Sequence, residues 1–262
     1  MGGRDGVVND YSVYQTLLDI RDRRGGAFFL LLDPDRTSPE KYLELTDAAA
    51  ECGVDAILVG TSFTLESHFN SAVEQIRLKT TLPVIIFPGS FAQISPHADA
   101  ILFSSLLSGR NPAYLIEEQV KGAPIVKQCG LEPIPTGYLL IESGSLTSVQ
   151  YISGSLPIPR EKHDIACAHA LAAQYLGMKL VYLEAGSGAN GSVPDRMVRE
   201  VTGYIDIPVM VGGGLRTPEA CADMVEAGAS FVVVGTMLED TPGFSLLREM
   251  AAATHPLETI GV

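Results

Sequence analysis

Eight short apolar runs constrain this chain more than any other feature. They lie at 27–32 (AFFLLL), 55–60 (DAILVG), 84–87 (VIIF), 99–103 (DAILF), 137–141 (GYLLI), 179–183 (KLVYL), 208–211 (PVMV) and 231–235 (FVVVG). None alternates with polar residues, so each reads as a strand covered on both faces, as in a parallel sheet. Helical patterns separate them. The segment SPEKYLELTDAAAECG offers Ser38 as a cap, Pro39 at the first helical position and Gly53 past the end. Thr217, Pro218 and Gly228 repeat that device. REKHDIACAHALAAQYLG carries Ile165, Ala168, Ala172 and Leu176 on one face, as an amphipathic helix would, and stops at Gly177. A first helix over about 11–22 groups Tyr14, Leu17 and Leu18 and is placed to cover the barrel bottom. Eight strands spaced by helices predict a (β/α)8 TIM barrel.

One connection breaks the pattern. Between the third and fourth runs lies PGSFAQISPHA, eleven residues with two prolines. Parallel strands need a crossover of a dozen or more residues, usually helical. The outer helix between strands 3 and 4 is therefore expected to be missing, leaving that side of the barrel uncovered.

With 262 residues, 46% of them hydrophobic and no linker or low-complexity break, the whole of 1–262 reads as a single domain. No apolar run is long enough to span a membrane, and the N-terminal MGGRDGVVNDYS lacks the apolar stretch of a signal peptide. Cys52, Cys129, Cys167 and Cys221 are scattered, with no C-x-x-C. That pattern fits buried thiols in a reducing cytoplasm. A formal charge of −13 argues against nucleic acid and against more than transient contact with an anionic membrane surface. An anionic substrate would have to be held by local devices: backbone N–H groups, helix N-termini or a metal ion.

Barrel enzymes carry their chemistry at the C-terminal ends of the strands. Strands 7 and 8 end in VGGGLRTPEA and VVGTMLED, two glycine-bearing turns on neighbouring strands. That is the usual place for a phosphate site, and glycine lets backbone N–H groups approach the oxygens. A lone GGG would read better as a tight turn; the pair favours phosphate. Strand 6 adds Ala185-Gly186-Ser187-Gly188 beside it, with Glu184 at the edge. A carboxylate next to a phosphate suffers repulsion. Glu184 is therefore expected either to hydrogen-bond a hydroxyl of the phosphate ester or to remove its proton, the alternative being a solvated surface Glu.

Across the mouth, LLDPD ends strand 1. Asp33 should emerge at the rim, where a hard oxygen ligand suits Mg²⁺ bridged to substrate phosphates; Asp35 reads better as a turn cap. Ser62, after strand 2, could add a ligand oxygen. No histidine stands at a strand end. Arg160 and Lys162 could meet an anion at the mouth or simply begin an exposed helix.

The segments LLDPD, ILVGTSFT, ILFSSLLSGRNPAYLI, LEPIPTGYLLIESG, PIPREKHDIA, YLGMKLVYLEAGSGA, PVMVGGGLRTPE and FVVVGTMLE resemble the geranylgeranylglyceryl phosphate synthase family, which includes the bacterial PcrB-like enzymes. The likeness spans 27 to about 240, and the long LFSSLLSGRNP segment is similar to the branch shared by archaea and some bacteria. The resemblance implies a modified (β/α)8 barrel lacking its third helix, in agreement with the short connection. It implies Mg²⁺-dependent transfer of a prenyl group from geranylgeranyl diphosphate to the 3-hydroxyl of sn-glycerol 1-phosphate, and assembly as a homo-oligomer, a dimer or hexamer. The family's glycerol-phosphate site would fall on Tyr182, Leu183, Glu184, Ala185, Gly186, Ser187 and Gly188, on Gly213 and Gly214, and on Gly235 and Thr236. Its metal positions would fall on Asp33 and Ser62, with Glu184 as base and Tyr182 positioning the glycerol. Thr61 stands where the family usually has Gly, with little effect expected beyond crowding the metal loop. Two rivals stay open: another phosphate-binding barrel enzyme, of the sugar-phosphate isomerase or synthase type, and a non-catalytic phosphate-binding module.

Overall fold

The computed structural model describes residues 12–63, 68–235, 238 and 243–258. Eight parallel strands close in chain order into a barrel: β1 (Ala27–Leu32), β2 (Ala56–Val59), β3 (Val84–Ile86), β4 (Ala100–Leu106), β5 (Glu132–Leu140), β6 (Leu180–Glu184), β7 (Val209–Gly212) and β8 (Phe231–Val234). Helices α2 (Pro39–Ala49), α3 (Phe69–Lys79), α4 (Glu118–Cys129), α5 (Ser148–Ser153), α6 (His163–Tyr175), α7 (Asp195–Thr202), α8 (Pro218–Glu226) and α9 (Ser245–Thr254) follow the strands. The two Ser/Thr-Pro starts form as expected: Ser38 accepts from the Lys41 N–H and Thr217 from the Ala220 N–H. No helix among the described residues is long and apolar enough to cross a membrane.

Side chains alternate between two apolar layers. Phe29, Leu58, Ile85, Leu102, Ile134, Tyr182, Met210 and Phe231 fill the barrel, while Phe28, Ile57, Val84, Ile101, Val181, Val211 and Val232 face the helices. Helix α1 (Val13–Arg24) closes the N-terminal end, with Val13 and Leu17 packed into the inner layer. Its start is fixed by Glu132, whose carboxylate accepts from the Ser12 hydroxyl at 2.7 Å and the Val13 N–H at 2.6 Å. The expected first helix is thus present; residue 11 lies outside the described residues.

The connection between β3 and β4 holds only a 3₁₀ turn, Phe91–Gln93, and no outer helix. The gap is not bare. Helix α4 leans over it, close enough that a β-carbon on Gly122 would meet Ile94 at 3.2 Å.

Two readings need correction. β5 begins at Glu132, not near 137, although Pro133 and Pro135 lie in it. Both prolines precede the point where β6 begins, at Leu180 opposite Thr136, so their missing N–H groups cost no ladder bond there. On α6 the buried residues are His163, Ala166, Cys167, Ala170 and Ala173, while Ile165, Ala168, Ala172 and Leu176 face outward. Alanine on every side of this helix removes the contrast that fixes a face.

Candidate active site

Alternation along the strands aims two carboxylates into one mouth. On β6, Leu180 and Tyr182 point into the barrel, so Glu184 does too. On β1, Phe29 points inward, and Leu31 and Asp33 follow at the same parity.

Glu184 is 6% exposed, which removes the surface alternative. Its Oε1 accepts from the Gly186 N–H at 2.8 Å. A β-carbon on Gly213, which has φ +79°, would overlap both Oε1 and the Gly186 nitrogen, so only glycine fits. Oε2 lies beside the Tyr182 hydroxyl over Gly212. That hydroxyl is buried and makes no hydrogen bond of regular geometry. Burial raises the Glu184 pKa above the usual carboxylate value, and the Tyr182 hydroxyl and Gly186 N–H partly oppose the rise. Burial, with Glu184 nearby, holds Tyr182 and Tyr138 well above the ordinary phenol value, so both stay neutral donors.

Asp33 sits across the mouth, its side chain 14% exposed. Oδ1 accepts from the Asp35 N–H at 3.1 Å, and the Arg36 Nε stands 3.6 Å from Oδ2. Burial raises its pKa; the Thr61 hydroxyl, the Asp35 N–H and Arg36 pull it down. Thr61 does more than occupy space: its hydroxyl donates to the Phe63 carbonyl at 3.3 Å and accepts from the Phe63 N–H at 3.4 Å, closing the turn that carries Ser62. Ser62 is half-buried and lines the same pocket. Among the described residues no cluster of three or more His, Cys, Asp or Glu could hold a metal by itself. One carboxylate with a neighbouring hydroxyl suits Mg²⁺, which takes oxygen ligands and completes its shell with water and substrate phosphates.

A pocket of about 360 Å³ joins the two halves. Asp33, Ser62, Tyr182, Glu184, Gly186, Ser187, Gly188, Gly213, Gly214 and Gly235 all line it. Leu183 and Ala185 are brought to the site only by their backbone; their side chains pack in the outer layer. Thr236 lies outside the described residues. The pocket floor is an aromatic cluster in which the expected Tyr182 is joined by Phe87 and Tyr138, both missed in the sequence, with ring centroids 5.2–5.8 Å apart. Tyr138 looks like one more strand residue until the register turns it inward. The pocket continues over the helix-free side, past Phe91, Ile94, Phe103 and Tyr114 to Ile152.

The basic residues divide. Arg160 donates to the Ser192 carbonyl at 2.7 Å and braces the loop after β6; neither it nor Lys162 lines the pocket. Arg216 does line it and ties that loop to the turn after β7 through the Ala189 carbonyl at 3.0 Å. Among the described residues no lysine or histidine lines the pocket. His163 pairs with Glu200, and His255 with Asp55 at the far end of the barrel.

Comparison with known proteins identifies the family and matches the fold. The model of the PcrB family matches residues 18–254. A geranylgeranylglyceryl phosphate synthase of Thermococcus kodakarensis is 48% identical over 236 residues, 90% of this chain and 93% of the relative. One from Chitinophaga pinensis is 42% identical over 243 residues, 93% of this chain and 96% of the relative. The crystal structure of (S)-3-O-geranylgeranylglyceryl phosphate synthase from Thermoplasma acidophilum, in complex with its substrate sn-glycerol-1-phosphate, superposes with a TM-score of 0.86 at 39% identity. It covers 91% of this chain and 98% of its own.

Proposed function

This chain belongs to the PcrB family, and from that premise we propose how its barrel acts as a geranylgeranylglyceryl phosphate synthase. The reaction is prenyl transfer to the 3-hydroxyl of sn-glycerol 1-phosphate. The donor we infer is geranylgeranyl diphosphate. The observation that carries the reading is that Asp33 and Glu184 enter one pocket from opposite sides of the rim, with the glycine turns after β6, β7 and β8 beside Glu184.

Glycerol phosphate is held by backbone groups of Gly186, Ser187, Gly188, Gly213, Gly214 and Gly235, the device a chain of charge −13 requires. Its 3-hydroxyl then faces Glu184. The hydroxyl oxygen forms a bond to C1 of the prenyl chain, the C1–O bond to diphosphate breaks, and the hydroxyl proton passes to Glu184. General-base help of this kind is worth roughly 10²–10⁴-fold. A carboxylate made more basic by burial suits the task. Tyr182, neutral and with its hydroxyl beside Glu184, orients the glycerol. Asp33 and Ser62 would hold Mg²⁺, which when bound offsets the charge growing on the leaving diphosphate.

The apolar extension past Phe91, Ile94 and Phe103 accommodates the prenyl tail. Burying that tail contributes about 0.8 kcal/mol per CH₂, enough to hold a lipid without a basic surface. Outward-facing Ile165, Tyr175, Leu176 and Tyr204 support assembly as a homo-oligomer, a dimer or hexamer. The four free cysteines support a reducing, cytoplasmic setting, and the charge of −13 supports at most transient contact with an anionic membrane surface.

The rival barrel chemistries draw less support: isomerases and synthases of that kind want a Lys or an acid–base pair facing the centre, no lysine lines the pocket among the described residues, and Asp33 and Glu184 enter from opposite sides of the rim rather than as a pair. The test is a radiolabelled transfer assay with C15, C20 and C35 diphosphates against both glycerol phosphate enantiomers. Ether product from the C20 donor and sn-glycerol 1-phosphate is expected. Absence of product from every pair would end the proposal.

A further inference from the structure

We propose that Gln93 is a positioning residue that sets the Thr61–Ser62 segment for the metal and the leaving diphosphate. The inference rests on the assignment of Asp33 and Ser62 made above.

Gln93 ends the 3₁₀ turn that replaces the missing crossover helix, and it is 1% exposed. Its amide bridges two strand ends. Nε2 donates to the Thr61 carbonyl at 3.0 Å, and Oε1 accepts from the Gly89 N–H at 3.0 Å. The two strand ends approach so closely that a β-carbon on Gly89 would overlap the Thr61 carbonyl oxygen. The turn is itself anchored: Ser90 caps it through the Ala92 N–H, and the Phe91 N–H donates to Glu118 of α4 at 2.8 Å. A line of bonds thus runs from α4 through the turn to the Thr61–Ser62 rim segment, which lines the same pocket as Asp33.

Gln93 does not line the pocket, so it touches no reactant and acts through Thr61. A buried amide bonded to backbone on both sides is rigid, and losing either bond leaves a buried partner unsatisfied. In a barrel with a third helix, packing against that helix would hold this corner. Here α4 covers the turn from outside, and the Gln93 amide joins the β2 and β3 ends beneath it. The bonds to Thr61 and Gly89 lie at the β2 and β3 ends, on the other side of the pocket from the glycine turns after β6 and β7, so acceptor affinity should be little affected by its removal.

The test compares two ligands on the whole protein by titration calorimetry. One is Mg²⁺ with inorganic pyrophosphate; the other is sn-glycerol 1-phosphate. Gln93→Met keeps the volume and loses the bonds to Thr61 and Gly89; Gln93→Glu keeps the acceptor for Gly89 and loses the donor to Thr61. Both should weaken metal–pyrophosphate binding by about tenfold, and the acceptor affinity should change by less than about twofold. Unchanged metal–pyrophosphate binding would overturn the inference, as would a parallel fall for both ligands, the mark of a merely structural role. Failure of the unaltered protein to bind metal–pyrophosphate would instead contradict the Asp33–Ser62 assignment. If neither variant folds, amide exchange in the unaltered protein decides. Metal–pyrophosphate should slow exchange at Gly89 and the acceptor should not; no change at Gly89 with either overturns the inference.

Discussion

The Glu184 carboxylate accepts a hydrogen bond of 2.8 Å from the N–H of Gly186, two residues further along the same turn. That bond aims one carboxylate oxygen at the loop that holds the acceptor's phosphate and leaves the other beside Tyr182. The base and the phosphate cradle are therefore one local structure, and the first prediction separates their roles. Glu184→Gln keeps an acceptor for Gly186 but cannot take a proton. Turnover should fall by roughly 10²–10⁴-fold. Acceptor affinity, read by calorimetry, should stay within a few-fold.

Buried and raised in pKa, Glu184 also links stability to pH. A carboxyl whose folded pKa lies above its unfolded value favours the folded state while protonated. That contribution is present at low pH and is lost as pH rises through the folded pKa. The melting temperature of Glu184→Gln should therefore gain on that of the unaltered protein as pH is raised from about 4 towards 8. A difference independent of pH would contradict the burial argument.

Asp33→Asn removes the only carboxylate on the metal side of the pocket that the Mg²⁺ assignment uses. The Mg²⁺ concentration for half-maximal rate should rise by tenfold or more, on the order of the loss from deleting one charged ligand contact. Activity that needs no added metal in this variant would count against the assignment.

Gly213→Ala should fail in a different way. The added β-carbon meets Glu184 and the Gly186 nitrogen, and the φ of +79° costs a further 1–2 kcal/mol, roughly, for a residue with a β-carbon. Both acceptor affinity and turnover should drop, with the melting temperature lowered, as calorimetry and rate measurements on the one variant would show.

The barrel, its missing helix and the carboxylates at its mouth were legible because each is written in local pattern. Apolar runs mark strands, Ser38-Pro39 and Thr217-Pro218 mark helix starts, and eleven residues cannot make a crossover. What could not be read depends on register or on distant partners. Tyr138 is indistinguishable from a wall residue until pairing with Tyr182 turns it into the floor. The face of α6 was misjudged because its alanines leave no contrast. Gln93 and Arg36 have no motif; Arg36 matters because it spans from Asp33 to the Ser148 hydroxyl at 3.1 Å on α5, more than a hundred residues away.

The central claim is that the acceptor on the β6–β8 side faces a metal-held leaving group on the β1–β2 side. It is tested most directly by replacing Mg²⁺ with paramagnetic Mn²⁺ in the presence of inorganic pyrophosphate and measuring ³¹P relaxation of sn-glycerol 1-phosphate. The account predicts strongly enhanced relaxation of the acceptor's phosphorus in the unaltered protein, abolished by Asp33→Asn. An acceptor that binds but relaxes as it does in Asp33→Asn would contradict it, because the metal and the acceptor would then not lie together in the pocket.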